Sequence, residues 1–207
     1  MTTKEKILKE ALTLFSNKGY SAVYVGEIAE AVGIKAPSLY KHYKSKQDIF
    51  NAILEEMKKS YEQQTTRLKM DGSQPDQDID VFSMVDEETL VKMGTELFLY
   101  FLHDEYVSKF RKMLTIEQFH DLELAVLYSK QYVEGPLAYQ SGLFYLLGIQ
   151  NKLKDNDPNI MAIHFYSPIY LMLTLCDREP QKEKEALQII ERHIRQFSHL
   201  YKKEGSE

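Results

Sequence analysis

Tryptophan is absent from this 207-residue chain, cysteine occurs once, and glycine and proline number only 9 and 6. A single cysteine cannot cross-link the chain to itself, so a disulfide-framed secreted fold is excluded and a reducing compartment is expected. So few turn formers argue against a fold of many short strands. No uninterrupted apolar run reaches the roughly 18 residues of a membrane span, and the opening Met1-Thr2-Thr3-Lys4-Glu5-Lys6 lacks the apolar core of a secretory leader. These absences point to a cytoplasmic protein. The composition present, 43% hydrophobic and 28% charged, is that of a chain able to bury a core.

Charge is distributed unevenly. The net formal charge is −5, yet the first 50 residues carry 8 lysines against 5 acids, and the remainder 18 basic against 26 acidic residues. From Ala31 to Gln47 there are four lysines (Lys35, Lys41, Lys44, Lys46) and no acid. A basic head on an acidic body implies an anionic partner for the head alone.

Apolar spacing predicts an all-α protein of about nine to ten helices. Ile7, Ala11, Leu14 and Phe15 share one face of a helix over 4–18, which Gly19 closes as a left-handed cap. A short helix from Val25 to Val32 ends at Gly33. A third starts near Ala36, with Pro37 in its first turn and Leu39 and Tyr43 on its buried face. Ser45 opens a long helix toward Met70 through a capping-box-like Ser45-Lys46-Gln47-Asp48. The polar stretch from Asp71 to Asp78 reads as a loop, and Ser83-Met84-Val85-Asp86 as the start of a helix over 86–104. Helices are expected at 105–115, 121–134, 136–153, 159–176 and 181–203. Sustained period-2 alternation, internal repeats and low-complexity segments are all missing.

Three short helices with a tight Gly33 turn between the second and third form the layout of a helix-turn-helix, whose third helix lies in the DNA major groove. Lys35, Ser38, Tyr40, Lys41 and His42 fall off the Leu39/Tyr43 face, and Lys46 stands at the start of the next helix. The alternative, a merely solvated lysine-rich helix, leaves the missing acids and the interleaved aromatic and histidine unexplained.

The order and spacing Gly19-Tyr20, then Val25-x-x-Ile28-Ala29-x-x-Val32-Gly33-Ile34, then Pro37-Ser38-Leu39-Tyr40-x-His42-Tyr43-x-Ser45-Lys46-x-x-Ile49 resembles the N-terminal signature of the TetR family of transcription regulators. The resemblance covers about residues 5–50. It implies a DNA-binding helix-turn-helix domain over 1–45 and a helical ligand-binding and dimerisation domain over 46–207. The implied function is that of a homodimeric repressor, bound to a palindromic double-stranded operator and released by a small, largely apolar or aromatic ligand. Position by position, it implies base-edge and nearby phosphate contacts from Ala36, Pro37 and Ser38, phosphate or base contacts from Tyr40 and His42, and a backbone anchor at Lys46. Lys35 stands where Ser is common, so the third helix is expected to begin undercapped, its free N–H groups completed by a phosphate. Tyr24 stands where Ser or Thr usually caps the second helix, and Ala36-Pro37 replaces the common pair at the recognition-helix start. Lys41 and Lys46 are expected to hold phosphates, and Lys35 and Ser38 to read base edges.

Further along, no catalytic motif stands out: there is no G-x-S-x-G, P-loop, H-E-x-x-H or Cys/His cluster. Neither a cofactor nor a metal is expected, and the chain does not read as an enzyme. Cys176 reads as a small buried hydrophobe, with redox sensing as the sharper alternative. The 14 Tyr, 10 Phe and 8 Met supply a core and, on the middle helices, a pocket. Its expected lining is Tyr61, Phe98, Phe101, Phe110, Met113, Phe119, Tyr145 and Tyr166, with polar contacts from His103 and His120, and a cationic group on the ligand as one option. The helix over 159–176 is apolar nearly all round, as if covered on two sides. The expected dimer face is Ile160, Ile163, His164, Ser167, Tyr170, Leu171 and Thr174 on that helix, with Ile190, Ile194, Phe197 and Tyr201 on the last. A ligand between the 46–70 and 86–104 helices would tilt the former and respace the two heads. Alternatives are a helix-turn-helix activator or regulator without an effector and, more remotely, a small helical enzyme.

Overall fold

The computed structural model describes residues 1–203; the last four residues of the expected second domain lie outside the described residues. The described chain is helical: α1 Thr3–Lys18, α2 Val25–Val32, α3 Ala36–Leu39, α4 Lys46–Arg67, α5 Pro75–Met84, α6 Glu87–His103, α7 Glu105–Glu117, α8 Leu122–Ser129, α9 Gly135–Ile149, α10 Pro158–Arg178 and α11 Glu183–Tyr201. A π-helical turn, Lys130–Glu134, joins α8 to α9 without a break, and a 3₁₀ turn, Pro180–Lys182, leads into α11. The only β-type pairing among the described residues is the isolated antiparallel bridge of Leu153 with Lys202.

Local chemistry explains the boundaries. Thr2 Oγ1 accepts from the Glu5 amide while the Glu5 carboxylate accepts from the Thr2 amide, a complete capping box that starts α1. Ser45 Oγ accepts from the Asp48 amide at the head of α4. Gly33 takes the left-handed conformation (φ 80°, ψ 31°), and Ile34 N–H returns to the Ala29 carbonyl, so α2 stops where the sequence places its glycine. Gly19 departs from the expected left-handed cap: its φ is +86° but its ψ is 157°.

Four expectations are corrected. The polar 71–78 stretch is not a continuous loop, because α5 begins at Pro75. Asp78 is buried there and accepts from the amides of Asp71 and Gly72 and from the Tyr139 hydroxyl. Its long-range partner has no signature in the local sequence. The start of α6 is made by Asp86, whose Oδ1 accepts from the Thr89 amide, rather than by Ser83, which belongs to α5. The break expected between 134 and 136 is absent: Pro136 sits inside a continuous helical stretch, since the wider π turn supplies the displaced hydrogen bonding, Gly135 N–H to Lys130 O. The third helix is regular only over Ala36–Leu39, and turn bonds carry the chain on to Tyr43. In addition, α10 is long and apolar enough to cross a membrane on length and composition alone, although its apolar residues are interrupted by His164, Ser167 and Pro168.

The chain divides into two compact units: Met1–Tyr61 with Asp104–Tyr128, and Glu62–His103 with Ser129 onward. The first unit therefore includes α7, which packs against α1. Its core joins Ile7, Leu12 and Phe15 of α1 and Ile28 of α2 to Leu39, to Ile49 and Ile53 of α4, and to Phe110, Met113 and Leu114 of α7. The second unit holds two apolar clusters. One gathers Val91 and Phe98 of α6, Leu173 and Cys176 of α10, and Ala186, Ile190 and Ile194 of α11. The other gathers Leu143, Phe144 and Leu147 of α9 with Met161, Ala162 and Phe197.

Candidate nucleic-acid interface and ligand cavity

The turn from α2 through Gly33 into α3 is the geometric centre of the basic head. Leu39 and Tyr43 are buried, and between and around them Lys35, Pro37, Tyr40, Lys41 and His42 are exposed, with Ala36 and Ser38 half-buried. The α3 amide ends are nearly all used. Ser38 and Leu39 N–H both return to the Lys35 carbonyl, no side chain caps the turn, and Pro37 has no N–H. Only the Ala36 amide is left for an outside acceptor among the described residues. At α2, Tyr24 offers no side-chain cap. The Glu27 carboxylate accepts from the Tyr24 amide instead and pairs with Lys18 at 2.7 Å. Its carboxyl is held below the usual range, first by the Lys18 bond and then by the Tyr24 amide.

Lys46 is placed differently from the other lysines. Its Nζ donates to the carbonyls of Tyr20 (2.8 Å) and Val23 (2.9 Å) and lies 4.3 Å from the centre of the Tyr20 ring. Two carbonyl bonds and the ring face thus engage this ammonium within the chain. Burial lowers its pKa, against the opposing pull of Glu117 and Glu27. Lys46 ties the α1–α2 connection to the start of α4.

Glu117, at the end of α7, completes that tie, and nothing in its local sequence signals it. It is buried, its Oε1 accepts from the Ser21 amide and its Oε2 from the Ser21 hydroxyl, both at 2.8 Å. A Cβ on Gly19 would come within 2.4 Å of Glu117 Oε1, so this glycine makes room for a carboxylate 98 positions away. Lys109 of α7 donates to Thr13 of α1, and Asp104 accepts from Ser60 of α4.

The second unit contains a cavity of about 670 Å³. Phe82, Leu90, Leu97, Tyr139, Leu143, Phe144, Leu147, Phe165 and Phe197 are among its apolar wall residues, with Leu68 and Met70 contributed by the chain that leaves α4. Charged groups on the wall are Asp86, Glu87, Lys152 and Lys202. Gln140 also lines it, and its Oε1 is buried without a hydrogen-bond partner.

None of the ten residues expected to line a pocket lies on this wall. Phe98 is in the α6/α10/α11 core, and Phe101 packs against it. Phe110 and Met113 are core residues of the first unit, where Tyr61 is half-buried. Phe119 is 83% exposed, Tyr145 is 57% exposed, and His120 is exposed. His103 meets Glu183 at 3.1 Å, and Tyr166 donates to the Tyr132 carbonyl. The wall aromatics Phe82 and Tyr139 stand on α5 and α9, helices whose mutual packing the periodicity could not reveal.

The expected dimer face divides. On α10, Ile160, Ile163, Ser167 and Leu171 are exposed, and His164, Tyr170 and Thr174 half-buried, so this row is accessible. On α11, Ile190, Ile194 and Phe197 point into the chain's own core, and Tyr201 is tied to His164 Nδ1 at 3.0 Å. His193 lies beside them, its Nε2–H donating to the Phe165 carbonyl; burial pushes its pKa down. Cys176 is buried, and burial pushes its thiol pKa up, away from the reactive thiolate. Among the described residues no group of three or more His, Cys, Asp and Glu is arranged to hold a metal.

Comparison with known proteins adds a family to this geometry. Residues 7–53 match the family model described as bacterial regulatory proteins, tetR family. The negative transcriptional regulator of the biofilm operon icaADBC from Staphylococcus epidermidis is 44% identical over 52 residues, 25% of this chain and 28% of that protein. The HTH-type transcriptional regulator AcrR of Shigella flexneri is 45% identical over 53 residues, 26% of this chain and 25% of that one. The aligned region thus spans about a quarter of those relatives. Over the whole length, the structure resembles SmeT, the repressor of the Stenotrophomonas maltophilia multidrug efflux pump SmeDEF. The TM-score is 0.65 at 19% identity, covering 100% of this chain and 94% of that one. SmeT in complex with triclosan aligns with a TM-score of 0.67 at 18% identity, covering 100% and 95%. At these identities the likeness is one of fold.

Proposed function

We propose that this chain, whose residues 7–53 match the family model of bacterial regulatory proteins, tetR family, is a DNA-binding transcriptional regulator acting as a homodimeric repressor on a palindromic operator. The observation that carries the reading is the exposed basic run Lys35–His42 on the Gly33 turn, inside the segment that matches the family. Lys35 and Ser38 read base edges, Lys41 holds a phosphate, and Tyr40 and His42 flank them. The division of labour assigns DNA binding to 1–45 and ligand binding with dimerisation to 46–207, α7 serving as a brace for the head. The accessible α10 row Ile160, Ile163, Ser167 and Leu171 meets its copy across a two-fold axis. That axis sets two recognition helices about 34–36 Å apart, one DNA turn.

The cavity is the effector site, in keeping with the repressor roles of the icaADBC regulator and SmeT and with the triclosan bound to the latter. Coupling runs through α4. Its first residues are bonded to the head through Ser45 and Lys46, and the chain beyond its end, at Leu68 and Met70, lines the cavity. A ligand that displaces this end shifts the population toward a head spacing that misfits the operator. Reversal from 1:99 to 99:1 requires about 5.5 kcal/mol of differential binding.

Selection of bound DNA from a random pool, repeated at two salt concentrations, tests the reading. A palindromic consensus with steep salt dependence is expected. Enrichment of no sequence, with or without added ligand, would overturn it.

A further inference from the structure

The cavity carries one unmet charge pattern, and it identifies a ligand class. Four charged groups line the wall. The two acids already have partners: Asp86 Oδ1 accepts from the Thr89 amide at 2.7 Å to cap α6, and Glu87 Oε1 accepts from Arg195 at 3.0 Å. The two lysines make no hydrogen bond or close ion pair among the described residues; Lys202 acts on Asp86 only at longer range, helping to lower its pKa after the Thr89 bonds. They are brought together where two short segments cross: Lys154 N–H donates to the Tyr201 carbonyl (2.8 Å), Lys203 N–H to the Lys152 carbonyl (3.1 Å), and Leu153 pairs with Lys202. The alternate lysines of this clasp are spent elsewhere, Lys154 Nζ on the Leu200 carbonyl and Lys203 Nζ on Asn151 Oδ1. The clasp thus sets Lys152 and Lys202 on the cavity wall, Lys152 half-buried and Lys202 exposed at its edge, while Lys154 and Lys203 are bonded elsewhere. Behind them the wall is hydrocarbon and aromatic, and the volume, about 670 Å³, lies in the range of sites for drug-sized ligands.

We propose that the cavity binds an anionic amphiphile, a medium- to long-chain carboxylate, whose chain lies against Leu143, Phe144, Phe165 and Phe197 and whose head is held by Lys152 and Lys202. The proposal rests on the reading of this cavity as the effector site and names its ligand class. It opposes a cationic ligand, because Glu87 is paired with Arg195 and the charge of Asp86 is met in part by Lys202.

Isothermal titration of the full chain with decanoate, 1-decanol and decyltrimethylammonium, each below its micelle concentration, separates head charge from chain burial. Decanoate is expected to bind at least about tenfold more tightly than decanol, the scale of a charge-assisted pair, and decyltrimethylammonium more weakly than either. The double variant Lys152→Met/Lys202→Met lowers decanoate affinity to that of decanol and leaves decanol unchanged, while Lys152→Arg/Lys202→Arg retains the preference. Should the methionine pair fail to fold by circular dichroism, salt substitutes for it: added salt weakens decanoate binding and spares decanol. Equal affinity for decanoate and decanol, preference for the ammonium, or a decanoate preference indifferent to both lysines and salt would overturn the proposal. Absence of binding by all three overturns it together with the effector half of the proposed function. DNA selection reports on the other half independently: a protein that binds decanoate but selects no DNA sinks the regulator and keeps the anion site.

Discussion

Gly19 holds a φ of +86° with Glu117 Oε1 where a Cβ would need to be. Gly19→Ala is therefore expected to lose roughly 2–4 kcal/mol, combining backbone strain with displacement of a buried carboxylate from Ser21; chemical denaturation of the full chain measures it. Gln140 presents the opposite case. Its Oε1 is buried on the cavity wall with no partner, so Gln140→Leu should raise ligand-free stability by about 1 kcal/mol by removing an unpaired acceptor. A melting temperature below that of the parent would contradict this. His193 supplies a pH dependence. Burial lowers its pKa below the ordinary 6.5, so the unfolded chain takes up the proton first. Its contribution to stability is complete above about pH 6.5 and is lost as pH falls through the lower folded value. Melting from pH 7.5 to 5 should show a decline that His193→Gln, which keeps a donor for the Phe165 carbonyl, reduces.

At the level of elements, lysines that look alike in sequence part company. Lys41 is exposed on the turn after α3, whereas Lys46 is bonded to Tyr20, Val23 and the face of the Tyr20 ring. Lys41→Ala should lower the salt slope of operator binding by about one unit and leave folding untouched. Lys46→Ala should instead loosen the join of the α1–α2 connection to α4, lowering stability before any change in salt slope is seen. Equal slope losses with unchanged melting for both would show that Lys46 leaves its carbonyls for a phosphate. The Ser45 cap, the Gly33 stop and the Leu39/Tyr43 face were legible because each is set by neighbours within four or five residues, whereas the Ser83 start was misread and the Thr2/Glu5 box passed over. The start of α5 was not legible, since Asp78 is stabilised by Tyr139, 61 positions away.

For the whole molecule, the exposed row on α10 is the feature that calls for a partner. Leu171 is 59% exposed and Ile160 58%, on a helix apolar enough to pass for a membrane span by composition. Leu171→Glu with Ile163→Glu is expected to convert the proposed dimer, about twice 24.2 kDa, into a folded monomer with much weaker operator affinity, read by light scattering and DNA titration. A double variant that remains dimeric places the interface elsewhere. The two-unit division also bears on how the head is held. α7 is far from the head in sequence but packs on α1 and bonds Ser21 through Glu117, so the matched 7–53 segment folds within a larger unit.

The sequence by itself determined the helical class, the order of the head helices and the basic, acid-free run, because periodicity, caps and charge are properties of neighbouring residues. Only the tertiary structure decided which aromatics line a cavity and which fill a core, because Phe98 and Phe82 have the same chemistry and differ only in what packs opposite them. The same holds for the inward turn of Ile190, Ile194 and Phe197, for the pairing of Glu117 with Ser21, and for the crossing that brings Lys152 and Lys202 to the cavity wall. Each depends on contacts between residues distant in the chain, which no local pattern records.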